Sequence, residues 1–85
     1  MKVCVRLGEP LWREVGERET VVELPESARV ADLVGRLVAL HPSLAPWLQG
    51  DEVPPTIFLN DHVADQDTPL QDGDRPLLAW AMAGG

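Results

Sequence analysis

Alternation of apolar and polar residues marks the opening strand. In "KVCVRL", Val3, Val5 and Leu7 fall on one face and Lys2, Cys4 and Arg6 on the other. That period of two predicts a half-buried strand. "GEP" breaks it, and "LWREVG" reads as one helical turn stopped by Gly16. "TVVELP" predicts a second strand, with Val22 and Leu24 on the inner face and Pro25 closing it. From Val30 the period changes. Val30, Leu33, Val34, Leu37 and Val38 recur at helical spacing and form one apolar stripe. Asp32 lies in the first turn, where the helix dipole favours an acid. Ser27 is the nearby cap candidate, with a less regular start around Arg29 as the alternative. Pro42 ends the helix, because a residue preceding proline is pushed out of the helical region. "SLAPWLQGDEVPP" is a punctuated connection with a short turn expected to tuck Trp47 and Leu48 inward. "TIFLN" predicts a third strand, "ND" a turn and "HVA" a short fourth strand. "DQDTPLQDGD" is turn chemistry throughout, tightest at Asp72-Gly73-Asp74. The last strand is expected from about Pro76 to Met82, with Pro76 at its first position, where a missing N–H is tolerated.

The resulting order is ββαβ(β)β, without repeats. Two opening strands followed by a crossover helix do not build a doubly wound sheet. They suit an α+β fold of the β-grasp type, a mixed sheet of four to five strands around one main helix. In that arrangement the final strand lies beside the first and parallel to it. Residues 1–82 are expected to form one domain, followed by a flexible Ala-Gly-Gly tail at 83–85. The final strand is apolar on both faces: Leu78, Trp80 and Met82 on one, Leu77, Ala79 and Ala81 on the other. A strand buried on one face would alternate. Its outer face is therefore either covered or a docking surface, and Leu77 and Ala79, with neighbouring Trp80 and Met82, are the candidate partner-binding residues.

Composition narrows the function classes. Fourteen acids against seven bases give a net charge of −7, a surface that repels phosphate backbones and argues against nucleic-acid binding. It favours a partner with a basic face. One cysteine, Cys4, allows no internal disulfide and fits a reducing compartment. Cys4, His41 and His62 are too few and scattered for a closed zinc site. The longest apolar run, Leu77 to Ala83, is far short of the roughly 20 residues that span a membrane. With no signal pattern at its start, the chain is expected to be soluble and cytoplasmic, away from membranes.

Motifs for chemistry on side chains fail one by one. "DQDTP" at 65–69 has the look of an aspartate phosphatase loop but lacks the large α/β sheet that holds its magnesium. Calcium binding by Asp65, Asp67 and Asp72 fails because Pro69 and Leu70 occupy ligand positions. Cys4 has no neighbouring histidine in sequence, and a sheet thiol is usually inert. No phosphate-binding glycine loop with its lysine is present. Trp12, Trp47 and Trp80 read as core or interface. The chain is expected to be no enzyme and to bind no cofactor of its own.

What remains is the end, "AWAMAGG", where two glycines follow a predicted strand. With "VELPESARVADLVGRL" and "DTPLQDGD", this ending makes the chain resemble a MoaD/ThiS-type ubiquitin-like sulfur carrier over essentially its whole length. The resemblance implies that the carboxylate of Gly85 is adenylated by an ubiquitin-activating-like adenylyltransferase, which uses ATP in trans. The adenylate is then converted to a thiocarboxylate that donates sulfur. Gly84 and Ala83 are the flexible tail in this reading, and an extended Gly-Gly without Cβ atoms threads a narrow channel. "DTPLQDGD" leans towards the small subunit of molybdopterin synthase, whose large subunit would be the sulfur-accepting enzyme. The alanine before Gly-Gly and the "LND" turn lean towards carriers for cysteine or secondary-metabolite synthesis, and thiamin synthesis belongs to the same group. Arg29 stands where such carriers have a capping threonine, and Pro76 where they have an apolar residue. Two readings of another kind stay open: a protein modifier joined to lysines through the same glycine, and a β-grasp interaction module with an inert tail.

Overall fold

In the computed structural model, residues 1–51 and 53–80 are described. They form a five-stranded mixed sheet in the order β2-β1-β5-β3-β4, with helices against one face. The strands are β1 (Lys2–Leu7), β2 (Glu19–Glu23), β3 (Thr56–Leu59), β4 (His62–Ala64) and β5 (Leu77–Ala79). The helices are α1 (Leu11–Val15), α2 (Val30–Leu40) and α3 (Ala45–Leu48), the last preceded by a 3₁₀ turn at Pro42–Leu44. This is the β-grasp order expected from the sequence.

The first two strands pair antiparallel, Val3 facing Val22 and Val5 facing Thr20. Val3, Val5, Leu7 and Val22 are buried, as the alternation requires. Their inner face meets α2 through Val30, Leu33 and Leu37, all fully buried, while Val34 and Val38 sit half-buried at the edges of the stripe. Gly16 ends α1 with φ +91°, the left-handed conformation glycine reaches without a Cβ clash. Asn60 and Asp61 both have positive φ, as a two-residue hairpin between β3 and β4 needs.

Two local expectations change. Ser27 is not the cap of α2; Arg29 is, and the Asp32 carboxylate accepts its backbone N–H at 2.8 Å. The next two N–H groups, of Val30 and Ala31, are taken by the carbonyls of Thr68 and Gln66 at 3.0 Å each. A loop from far along the chain thus satisfies donors that a serine or threonine cap normally takes. In the connection after α2, the fully buried residue is Leu44, while Trp47 and Leu48 are half-buried. Both nonetheless pack against the core, so the tuck inward holds without full burial.

The last strand is the centre of the sheet. It runs parallel to β1, Arg6 beside Leu77 and Leu7 beside Leu78, and antiparallel to β3. The N–H groups of Cys4, Arg6 and Gly8 donate to the carbonyls of Asp74, Pro76 and Leu78 at 2.9, 2.8 and 2.8 Å. Pro76 needs only its carbonyl there, which is why a proline is accommodated. Gly8 is required by close approach: a Cβ on it would come within 2.9 Å of the Ala79 Cβ and 3.1 Å of the Leu78 carbonyl oxygen. The described strand spans Leu77–Ala79; Ala81 and Met82, expected in the same strand, lie outside the described residues, as does the 83–85 tail.

Leu33→Ala should destabilise the protein by about 2–5 kcal/mol through the lost burial and the cavity left behind. Gly8→Ala should cost about 1–3 kcal/mol by forcing β1 from β5. Urea titrations followed by circular dichroism measure both, and an unchanged midpoint for Gly8→Ala would contradict the tight contact.

Candidate functional site

β5 ends at Ala79, and Trp80 follows it towards the C-terminus. Cross-strand neighbours share a face, so register says what surrounds that end. On the outer face, away from α2, Leu77 stands between Arg6 and Phe58, and Phe58 faces Val63 on β4. Ala79 stands beside Thr56. Leu77, Ala79 and Phe58 are half-buried, while Val63 is 71% exposed and Val21, on β2 across from Cys4, is 60% exposed. These residues form an apolar row across the sheet.

Charges rim the row on the β1–β2 side. Arg6 donates to the Arg75 carbonyl at 3.0 Å, and Arg75 pairs with Glu19 at 2.9 Å. Lys2 pairs with Glu23 at 3.7 Å. The Cys4 thiol, half-buried on the same face, is 3.8 Å from Glu19 Oε2. It has a carboxylate neighbour rather than the base an activated thiol uses.

Of the residues singled out in the sequence, Leu77 and Ala79 come together on the outer face. Trp80 does not join them. It shares the side of Leu78, where its ring meets Trp47 edge-on at 5.9 Å and its Nε1–H donates to the Val53 carbonyl at 2.8 Å. Trp80 thus clamps the point where the strand exits onto the α3 region. Met82, Ala83, Gly84 and Gly85 lie outside the described residues. Phe58 and Val63, which complete the outer row, were not singled out in the sequence; the outward phase of "TIFLN" and "HVA" is the signal that marks them.

Beside the exit lies the loop from Gly8 to Pro10 and α1. Arg13 donates to Glu9 at 3.1 Å, and this hydrogen bond and charge hold the Glu9 carboxyl below the usual carboxylate range. The Arg13 and Arg18 guanidiniums lie over the Trp12 ring, 5.2 and 4.6 Å from its centre. The acids of residues 65–74 act as turn formers: Asp65 accepts from Asp67 and Thr68, Asp74 from Gln71, and Asp72 from the Lys2 N–H at 2.7 Å. Among the described residues, no group of three or more His, Cys, Asp or Glu side chains is set to hold a metal, and no helix is long and apolar enough to cross a membrane.

A mixed sheet closed around one helix, with the last strand at its centre and parallel to the first, defines a ubiquitin-like β-grasp protein. The ThiS family model matches residues 5–85, and the chain belongs to that family. It is one of the small carrier subunits that work with partner enzymes. Among solved structures, it is similar to a Pyrococcus furiosus protein assigned as molybdopterin converting factor subunit 1. That pair is 28% identical, covers 96% of this chain and 99% of the other, and has a TM-score of 0.83. Subunit 1 in a complex of subunits 1 and 2 of the molybdopterin-converting factor from Helicobacter pylori 26695 is 29% identical over 100% of both chains, with a TM-score of 0.68. SAMP1 from Haloferax volcanii shares the fold at 24% identity, over 100% of both chains, with a TM-score of 0.83. No curated protein matches the chain.

The two faces of β5 should separate by mutation. Leu77→Asp, half-buried and beside Arg6, should leave the protein folded, whereas Leu78→Asp places a charge in the core and should unfold it. Far-ultraviolet circular dichroism distinguishes them; equal loss of structure in both would mean the outer face is core.

Proposed function

We propose that this chain carries sulfur on the carboxylate of Gly85. A ubiquitin-activating-like enzyme joins that carboxylate to AMP from ATP, releasing pyrophosphate. Sulfide attacks the acyl carbon, AMP departs, and Gly85 is left as a thiocarboxylate. The sulfur then passes to an acceptor enzyme, in molybdopterin synthesis by the likeness to the two molybdopterin-converting-factor proteins.

The observation that carries the reading is a family match running through Gly84 and Gly85. The chemistry of such a carrier is supplied by its partners. Five residues beyond Trp80 reach at most about 17 Å. That length enters a partner's active site while the sheet stays outside, and glycine at 84 and 85 leaves the acyl carbon open to attack. The apolar row of Leu77, Ala79, Phe58 and Val63 lies beside the tail's exit and is the proposed docking face for the activating and accepting enzymes. The complex of subunit 1 with subunit 2 in Helicobacter pylori supports a large-subunit partner of this kind.

Incubation with ATP, the cognate activating enzyme and sulfide should raise the intact mass by the difference between sulfur and oxygen. One residue added after Gly85 should abolish that gain with thermal stability unchanged, since a terminal extension contributes little to folding. Gly84→Val should impair it by stiffening and widening the tail. Leu77→Asp should fold yet lose pull-down of the activating enzyme, and Cys4→Ser should keep full transfer. Sulfur gain by the extended protein would place the modified atom elsewhere, and an adduct with a second protein through a lysine amide would identify a modifier instead.

A further inference from the structure

An activated acyl group is open to any amine within reach, and an amide once formed does not return the carboxylate. The distribution of amines on the carrier therefore matters. Of its seven basic residues, six are arginine and one, Lys2, is lysine. Arginine stays protonated far above neutral pH and offers no free nucleophilic nitrogen, whereas lysine deprotonates readily enough to attack.

Lys2 is at the far end of the sheet from the tail. It opens β1, where Gly73 donates to its carbonyl at 2.8 Å and its Nζ pairs with Glu23. The amino group of Met1 lies at the same end, donating to the Leu24 carbonyl at 2.8 Å. β5 ends at the opposite end, where Gly8 donates to the Leu78 carbonyl. Lys2 and Gly8 are six residues apart on one strand, about 20 Å. Six residues separate Ala79 from Gly85, and a reversal of direction uses at least about two of them. The remainder spans about 13 Å and stops about 7 Å short of the Lys2 end, where the Lys2 Nζ is turned aside to Glu23 on β2.

The basic groups near the exit are of the other kind. Leu7 donates to the Arg18 carbonyl at 2.8 Å, which sets Arg18 two strand spacings from β5, about 10 Å. That is within reach of the tail. Arg18 and Arg13 both stack on Trp12, a contact lysine can also make. Charge and stacking alone do not require guanidinium there.

We propose that the chain keeps primary amines beyond the reach of its own activated C-terminus, with Arg13 and Arg18 supplying charge at the exit without a nucleophile, so that the acyl group is captured only by a molecule from outside. This rests on reading Gly85 as the reacting terminus. In the reaction avoided, a lysine Nζ forms a C–N bond to the Gly85 acyl carbon, the bond to the leaving group breaks, the leaving group takes the electron pair, and the amine proton goes to solvent.

The experiment uses a thioester of a small thiol at Gly85, made by thiolysis of an intein fused after it, in a Cys4→Ser background so that no internal thiol competes. At mildly alkaline pH the parent should lose its thioester only by slow hydrolysis to the acid, and Lys2→Arg should behave identically. Arg18→Lys should lose it at least tenfold faster and give a product one water lighter than the acid, the amide mapping to the substituted position. Arg13→Lys should do the same and serves if the first variant fails to fold by circular dichroism. Cyclisation of the parent onto Lys2 would overturn the proposal. So would folded lysine variants that hydrolyse at the parental rate without a lighter product. The thioester is made without the activating enzyme, so this result stands apart from the sulfur-gain assay that tests the carrier reading itself.

Discussion

The parallel pairing of β1 with β5 sets the first and last strands side by side in the middle of the sheet, and the remaining architecture follows from it. Parallel neighbours cannot be joined by a tight turn and need a long crossover. The chain uses that crossover to form α2, the turn at Pro42–Leu44 and the β3–β4 hairpin before β5 returns. Three backbone bonds, from Cys4, Arg6 and Gly8 to Asp74, Pro76 and Leu78, fix the level at which the last strand sits. A side chain at Gly8 would collide with Ala79. The position of the Ala79 end of β5 is thus set by a pairing at the centre of the sheet.

The segment before β5 explains how so acidic a chain folds around one small core. Residues 65–74 carry four aspartates, and three of them accept hydrogen bonds that shape the loop or tie it to Lys2. The loop's carbonyls cap α2, and Leu70 donates to Ala28 at 3.0 Å, placing two buried side chains against the same core. Carboxylates used this way stay at the surface and avoid the desolvation that burial of a charge entails. The resemblance of "DQDTP" to a catalytic loop dissolves in this geometry: the Asp65 carboxylate accepts from the Asp67 N–H and the Thr68 hydroxyl of its own turn.

In the proposed reading of Gly85 as the reacting group, the side chains need only hold the end of β5 at a defined point and present a surface beside it. The outer row of Leu77, Ala79, Phe58 and Val63, rimmed by Arg6, Arg75 and Glu19, is the surface that this reading uses. Trp80 is a strut behind it, braced by Trp47 and the Val53 carbonyl.

The elements and their phases were legible from local residue patterns alone. Period two in "KVCVRL" and period 3.6 from Val30 to Val38 depend only on local geometry, and burial of Val3, Val5, Leu33 and Leu37 follows from them. Glycine at 16 and 73 and the Asn60-Asp61 turn are equally local, because positive φ is a property of single residues. The family tie was legible too, in "DTPLQDGD" and the closing Gly-Gly. Tertiary structure decided what stands beside what. Alternation along β5 separates Leu77 from Trp80 but does not say that Phe58 and Val63 extend the row of Leu77, since register is a relation between strands. Capping of the Val30 and Ala31 N–H groups by the carbonyls of Thr68 and Gln66, and full burial of Leu44 beside a half-buried Trp47, likewise depend on chain segments meeting from a distance. No window of neighbouring residues contains those contacts.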